Sequence, residues 1–184
     1  MNSAAAFVFG KLPTHGDFVG RGLSAPAREA WDAWAGPRLD VAREQLGDGF
    51  EAAHEAAPPW RFALPPADDR PGWQAGALAP SIDRVGRRFL IVVGAAAPAP
   101  LPAVGVAAAM EGLIYDALAQ DWTVDTLHAA AGARLADLND DPADPPPAQA
   151  WVGEPQDGGP RLADMFAPDA LLRMLKPSHF GTPA

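Results

Sequence analysis

Residues 4–9 form a short apolar, aromatic run that reads as a first strand. It leads into Gly10-Lys11-Leu12-Pro13-Thr14-His15-Gly16-Asp17-Phe18-Val19, where two glycines and a proline predict a sharp corner. Ser24-Ala25-Pro26 then supplies a capping serine and a first-turn proline. Trp31, Ala35, Leu39, Ala42 and Leu46 follow at three- and four-residue steps, and Trp34 and Val41 widen the stripe, which predicts an amphipathic helix. Gly36-Pro37 predicts a kink or break within it, and Gly47-Asp48-Gly49 its end.

Three strands are predicted next. Trp60, Phe62 and Leu64 alternate with Arg61 and Ala63, the pattern of a strand with one buried face. Residues 73–79 form the second, Pro80-Ser81-Ile82-Asp83-Arg84-Val85-Gly86-Arg87 a polar loop, and residues 88–94 a third strand, apolar on both faces and so central. Val106, Met110, Leu113, Ile114 and Ala117 share one face of a helix. Val124, Leu127, Ala131, Leu135 and Leu138 mark another, capped by Thr123. The acidic, proline-rich stretch 139–147 reads as a mobile linker. Residues 148–152 form one more strand and 168–176 a short last helix with Leu171, Leu172 and Leu175. The order β-α-β-β-β-α-α-β-α predicts one α/β domain over residues 1–184, with a mostly antiparallel sheet of about five strands sandwiched by helices.

Composition narrows the function. The 184 residues are 48% apolar, and six tryptophans and eight phenylalanines supply volume that the many alanines do not. A formal net charge of -9 argues against a nucleic-acid surface. Without cysteine there is no disulfide, thiol nucleophile or thiolate metal site. No apolar run reaches membrane-spanning length, and residues 1–7 lack the basic and apolar regions of a secretory leader, so cytoplasmic residence without membrane insertion is expected.

The corner offers Lys11, His15 and Asp17, and each chemical reading of it meets an obstacle. A phosphate loop needs its lysine after the second glycine and a run of free amides, whereas Lys11 comes first and Pro13 has no amide donor. His15 and Asp17 lack a second ligand pair, since His54, His128 and His179 stand in unrelated contexts. Ser81, His15 and Asp83 can be assembled as a triad on paper, but Ser81 lacks the Gly-x-Ser-x-Gly elbow. No enzyme activity, cofactor or metal is therefore expected. Asp17 is expected to accept amide hydrogen bonds and fix the turn, so that Asp17→Ala lowers stability. Asp83, Arg84, Arg87 and Arg88 are expected to form an ion-paired cluster in which Asp83 and Arg84 grip the corner and brace one end of the sheet. Trp31 and Trp34 read as core.

Four co-linear segments carry a resemblance: residues 9–19, Trp31-Asp32-Ala33-Trp34, Pro59-Trp60-Arg61-Phe62, and residues 80–87 with Ser81, Asp83, Arg84, Gly86 and Arg87. Over roughly its first half the chain resembles the TagF, or ImpM, family of accessory proteins of bacterial type VI secretion. The resemblance implies a longin- or SNARE-like α/β sandwich and a cytoplasmic, non-enzymatic repressor acting after translation. Its implied partner is the system's forkhead-associated scaffold protein. An alternative from the residues is an anion or small-molecule sensor, with Lys11, His15, Arg84 and Arg87 around a ligand at the sheet end formed by residues 10–17 and 80–87.

Overall fold

The computed structural model describes residues 4–68, 70–138 and 146–176; most of the predicted linker, residues 139–145, and His179 lie outside the described residues. Seven strands make one sheet: β1 (Ala5–Gly10), β2 (Val19–Arg21), β3 (Trp60–Leu64), β4 (Trp73–Ile82), β5 (Arg88–Ala97), β6 (Ala150–Trp151) and β7 (Arg161–Leu162). Every pairing is antiparallel, in the order β2-β1-β5-β4-β3-β6-β7. One face carries α3 (Ala103–Ala119) and α4 (Val124–Leu138); the other carries α1 (Ala25–Leu46), α2 (Phe50–Ala56) and α5 (Ala170–Leu175). This is an α/β sandwich with seven strands where about five were expected. The two edge strands β2 and β7, three and two residues long, are too short for alternation to announce them.

The two faces bury different side chains. Under α3 and α4 the sheet presents small aliphatics such as Val8, Ala77 and Val93, with Val106, Met110, Ile114, Leu127 and Ala131 packed on them. The other face is aromatic, with Phe7, Phe9, Trp31, Trp34, Trp60, Phe62 and Phe89. One row across it reads Phe7, Gly94, Gly76, Phe62 in register. Trp31 descends from α1 between the two phenylalanines, its ring centroid 6.0 Å from Phe7 and 5.4 Å from Phe62. A Cβ on Gly76 would lie 2.2 Å from the Val93 carbonyl oxygen, and one on Gly94 2.7 Å from the Phe7 ring. The glycine pair is thus the dent that lets the aromatic layer sit close to the backbone.

Several elements depart from expectation for identifiable reasons. The α1 helix runs unbroken through Pro37. Ala33, whose carbonyl loses its partner at Pro37, is exposed to water, as is Pro37 itself, and Gly36 has no Cβ to collide with the proline ring. The Gly47–Gly49 turn of 3₁₀ helix leads directly into α2, which the pattern does not announce. All of β3 is buried, Arg61 included, because helices cover both faces and Arg61 finds Glu111 at 2.6 Å and Glu154 at 2.8 Å. The β4 strand extends through Pro80, Ser81 and Ile82, so the predicted polar loop shrinks to a tight hairpin. Pro80 is tolerated there because β3 has ended opposite Leu78, leaving no ladder bond for its missing N–H to break.

Candidate functional site

Gly10 ends β1 at φ 128°, a conformation open to glycine, and a Cβ there would fall 2.0 Å from the Leu90 carbonyl oxygen. The corner thereby turns across the end of the sheet, and the Lys11 amide bonds the Leu90 carbonyl at 2.9 Å. Opposite it, Asp83 to Arg87 closes the β4–β5 hairpin: the Gly86 amide donates to the Asp83 carbonyl, and Gly86 sits at φ 84°. A turn ending in a left-handed glycine matches the right-handed twist of the flanking strands.

Asp83 joins the two segments. Its buried carboxylate accepts from Lys11 Nζ at 3.0 Å, Arg87 Nε at 2.6 Å, the Val85 amide at 3.1 Å and the Arg87 amide at 2.9 Å. Burial pushes the Asp83 carboxyl up, but the Arg87 amide, the Lys11 ammonium and the Arg87 guanidinium together hold it well below the usual carboxylate range. Ser81 Oγ, also buried, donates to the Lys11 carbonyl at 2.7 Å. The Arg84 amide donates to the His15 carbonyl at 2.8 Å, and Arg87 Nη2 to the Gly16 carbonyl at 2.6 Å. The corner also holds α4: Thr14 Oγ1 donates to the Trp122 carbonyl at 2.9 Å, and His15 Nε2 accepts from the Val124 amide at 3.0 Å.

The structure thus brings together Gly10, Lys11, Gly16, Ser81, Asp83, Arg84, Gly86 and Arg87 from two segments about seventy positions apart. Pro13 is half-buried in the corner, and Leu12 sits in the aliphatic core. Asp17 is exposed and accepts one hydrogen bond, from the neighbouring Phe18 amide at 2.8 Å, so the carboxylate that fixes this region is Asp83. Trp31 and Trp34 belong to the aromatic core and take no part in this junction; Trp34 Nε1 donates to the Met165 carbonyl at 2.9 Å.

Ser81, His15 and Asp83 are each bonded to other partners, so no triad is assembled. Among the described residues no three His, Asp or Glu side chains converge as metal ligands. Beside the junction opens a cleft of about 810 Å³, lined by Lys11, Arg43, Phe50, Glu51, Arg87 and Arg88. Its cations have carboxylates already: Lys11 and Arg87 share Asp83, Arg43 meets Asp40 at 3.0 Å, and Arg88 meets Glu55 at 2.7 Å and Glu51 at 3.4 Å. Of the four residues assigned to an anion sensor, three are occupied within the fold, and Arg84 alone keeps a guanidinium with no carboxylate partner among the described residues.

Two features escaped the pattern. His54 is buried, its Nε2 2.7 Å from the Phe89 carbonyl, and burial pushes its pKa down despite that bond, helped by Arg88 and Arg43. The second is a set of large apolar side chains left exposed among the described residues, Ile82, Val85 and Tyr115, which join the exposed Phe18 of the corner motif. Phe18 and Val85 flank the junction. Ile82 and Tyr115 line a neighbouring groove of about 320 Å³ that Pro13, Pro80 and Ser81 also border. The signal for them was faint, a lone Ile82 and Val85 among polar neighbours.

Residues 8–133 match the TagF N-terminal domain, described as type VI secretion system-associated. The fold is similar to the crystal structure of PA0076 from Pseudomonas aeruginosa PAO1, with a TM-score of 0.63 and 32% identity, over 77% of this chain and 64% of that one. The chain thus spans less than two thirds of that protein's length. No curated protein matches.

Proposed function

The chain belongs to the type VI secretion-associated TagF N-terminal domain family, and from that membership we propose that it is a non-enzymatic, post-translational repressor of type VI secretion. It acts by binding a secretion component, with the forkhead-associated scaffold protein as first candidate. The observation that carries this reading is the sheet end. There the groups that chemistry would need are spent on one another, while Phe18, Ile82, Val85 and Tyr115 stay exposed around them. A surface of apolar side chains around a rigid polar centre is suited to holding a protein and offers no reacting group. A longin- or SNARE-like architecture belongs to the same reading, supported by one antiparallel sheet with helices on both faces.

The test is co-purification of the folded chain with the scaffold protein of the same secretion system, alongside secretion measured while the chain is overproduced. A stable complex and reduced secretion are expected. A folded chain that binds no secretion component and leaves secretion unchanged would refute the reading.

A further inference from the structure

Resting on that protein-binding reading, we propose that the ridge formed by Phe18, Gly16, Arg84 and Val85 docks an acidic segment of another protein that carries a bulky apolar side chain. Phe18 is 47% and Val85 69% exposed, far from the burial such side chains normally reach. Both are held rigid. The Phe18 ring meets Phe89 edge-on at 4.8 Å and stacks on Phe9 at 6.1 Å, with Lys11 Nζ 5.0 Å from its centroid. Val85 rides on the hairpin whose amides Asp83 fixes. Anchors fixed before binding lose little entropy on contact. The two are joined across Gly16, whose carbonyl takes Arg87 Nη2 and over which Arg84 lies so closely that a Cβ would fall 3.2 Å from its Nη2.

Charge selects the occupant. Lys11 and Arg87 share the single carboxylate of Asp83, leaving one positive charge over. Arg84, and Arg28 packed on Gly20, have no carboxylate partner among the described residues; the ridge's own exposed carboxylate is Asp17, while Asp48 and Glu51 line the neighbouring cleft. The ridge is therefore cationic on a chain with a formal net charge of -9. An acidic partner is repelled by the molecule at large and drawn to this spot, which gives orientation as well as attraction.

The experiment uses ¹⁵N-labelled protein and a synthetic peptide of alternating glutamates with one central phenylalanine. Amide shifts are expected at Gly16, Phe18, Arg84 and Val85, with affinity weakened at least tenfold by Arg84→Glu and unchanged by Arg134→Glu on α4. Both arginines are exposed, and equal melting temperatures of the two variants verify the fold. Unmoved ridge amides at millimolar peptide, or equal shifts with a lysine-for-glutamate peptide, would overturn the proposal. A second arm separates it from the wider reading. If the scaffold protein binds wild type and the Arg84→Glu/Val85→Glu double variant equally, the ridge is wrong and the repressor reading stands. If the scaffold fails to bind while the ridge amides respond to the peptide, the ridge stands without that partner.

Discussion

At one end of the sheet Lys11 reaches Asp83 across 72 positions of sequence, and Ser81 and Arg87 reinforce the tie. On the aromatic face Trp34 reaches the Met165 carbonyl across 131 positions and Trp60 the Met174 carbonyl across 114. Around these indoles Leu162, Met165, Ala170, Leu171, Met174 and Leu175 pack onto α1 and β3, and Arg38 clamps the carbonyls of Phe166 and Ala167. Both devices fasten a distant segment to one sheet. The first uses charge, whose burial costs most of what its attraction returns, so it contributes position more than stability. The second uses apolar area, which contributes stability and is tolerant of small changes in angle. A fixed, partly exposed sheet end on a domain stabilised by buried apolar area is the arrangement that a docking surface requires.

The largest effect expected falls on the apolar device. Trp34→Ala should cost about 3–5 kcal/mol through the cavity it leaves. Trp34→Phe, which keeps most of the volume and leaves the Met165 carbonyl unpaired, should cost about 1 kcal/mol. Thermal melts read both, at about 2–4 °C per kcal/mol for a domain of this size. If Trp34→Ala melts like wild type, residues 150–175 are ornament on a core that stands without them, and the contrast between the two devices dissolves. That region lies beyond the 8–133 family match, so the outcome also decides whether the match alone delimits a folding unit.

The same contrast explains what was legible in the sequence. Trp31, Ala35, Leu39 and Ala42, or Val106, Met110 and Ile114, announce their helices because a long element repeats its period several times. That Asp83 would grip the corner holding Lys11 was readable because polar residues beside turn glycines have few uses, whereas the bond of Ser81 to the Lys11 carbonyl was not. The elements β6 and α5 were announced, as residues 148–152 and 168–176, but β7 was not, since a two-residue strand carries no period; nor was what the three pack against, which is set by Trp34 and Trp60 from elsewhere in the chain. Pro37 misled because a local rule about proline was overruled by solvent on that face of α1. The turn-fixing role expected of Asp17 had a similar origin: sequence proximity to the corner is visible, while burial is not.

The charged device is tested by acid. An ordinary aspartate titrates near 3.8, and Asp83 in the fold titrates lower. Its stabilising contribution is therefore complete above 3.8 and is lost as the pH falls from 3.8 through the lower folded value. Chemical denaturation between pH 2 and 6 should show this loss in wild type and in Trp34→Phe, and a shallower one in Asp83→Asn. At neutral pH Asp83→Asn should destabilise more than Lys11→Met. The first strands a buried ammonium, whereas the second leaves the carboxylate with Arg87 and two amides. Equal losses would mean that Lys11, not Asp83, organises the junction.

The smallest effect separates the corner's appearance from its mechanics. Asp17 shares the corner with Lys11 and His15, yet its side chain is exposed and its hydrogen bond goes to the adjacent amide, a contact that closes no loop and joins no elements. Asp17→Ala should therefore change the unfolding free energy by no more than about 0.5 kcal/mol. A loss as large as that of Asp83→Asn would show the corner holding itself and the hairpin merely leaning on it. Stability aside, Asp17 is the exposed carboxylate on the cationic ridge, so its removal should tighten binding of the acidic peptide slightly, and more at low salt than at high. A variant that leaves melting untouched while strengthening an acidic ligand places Asp17 on the docking surface and leaves the fastening to Asp83.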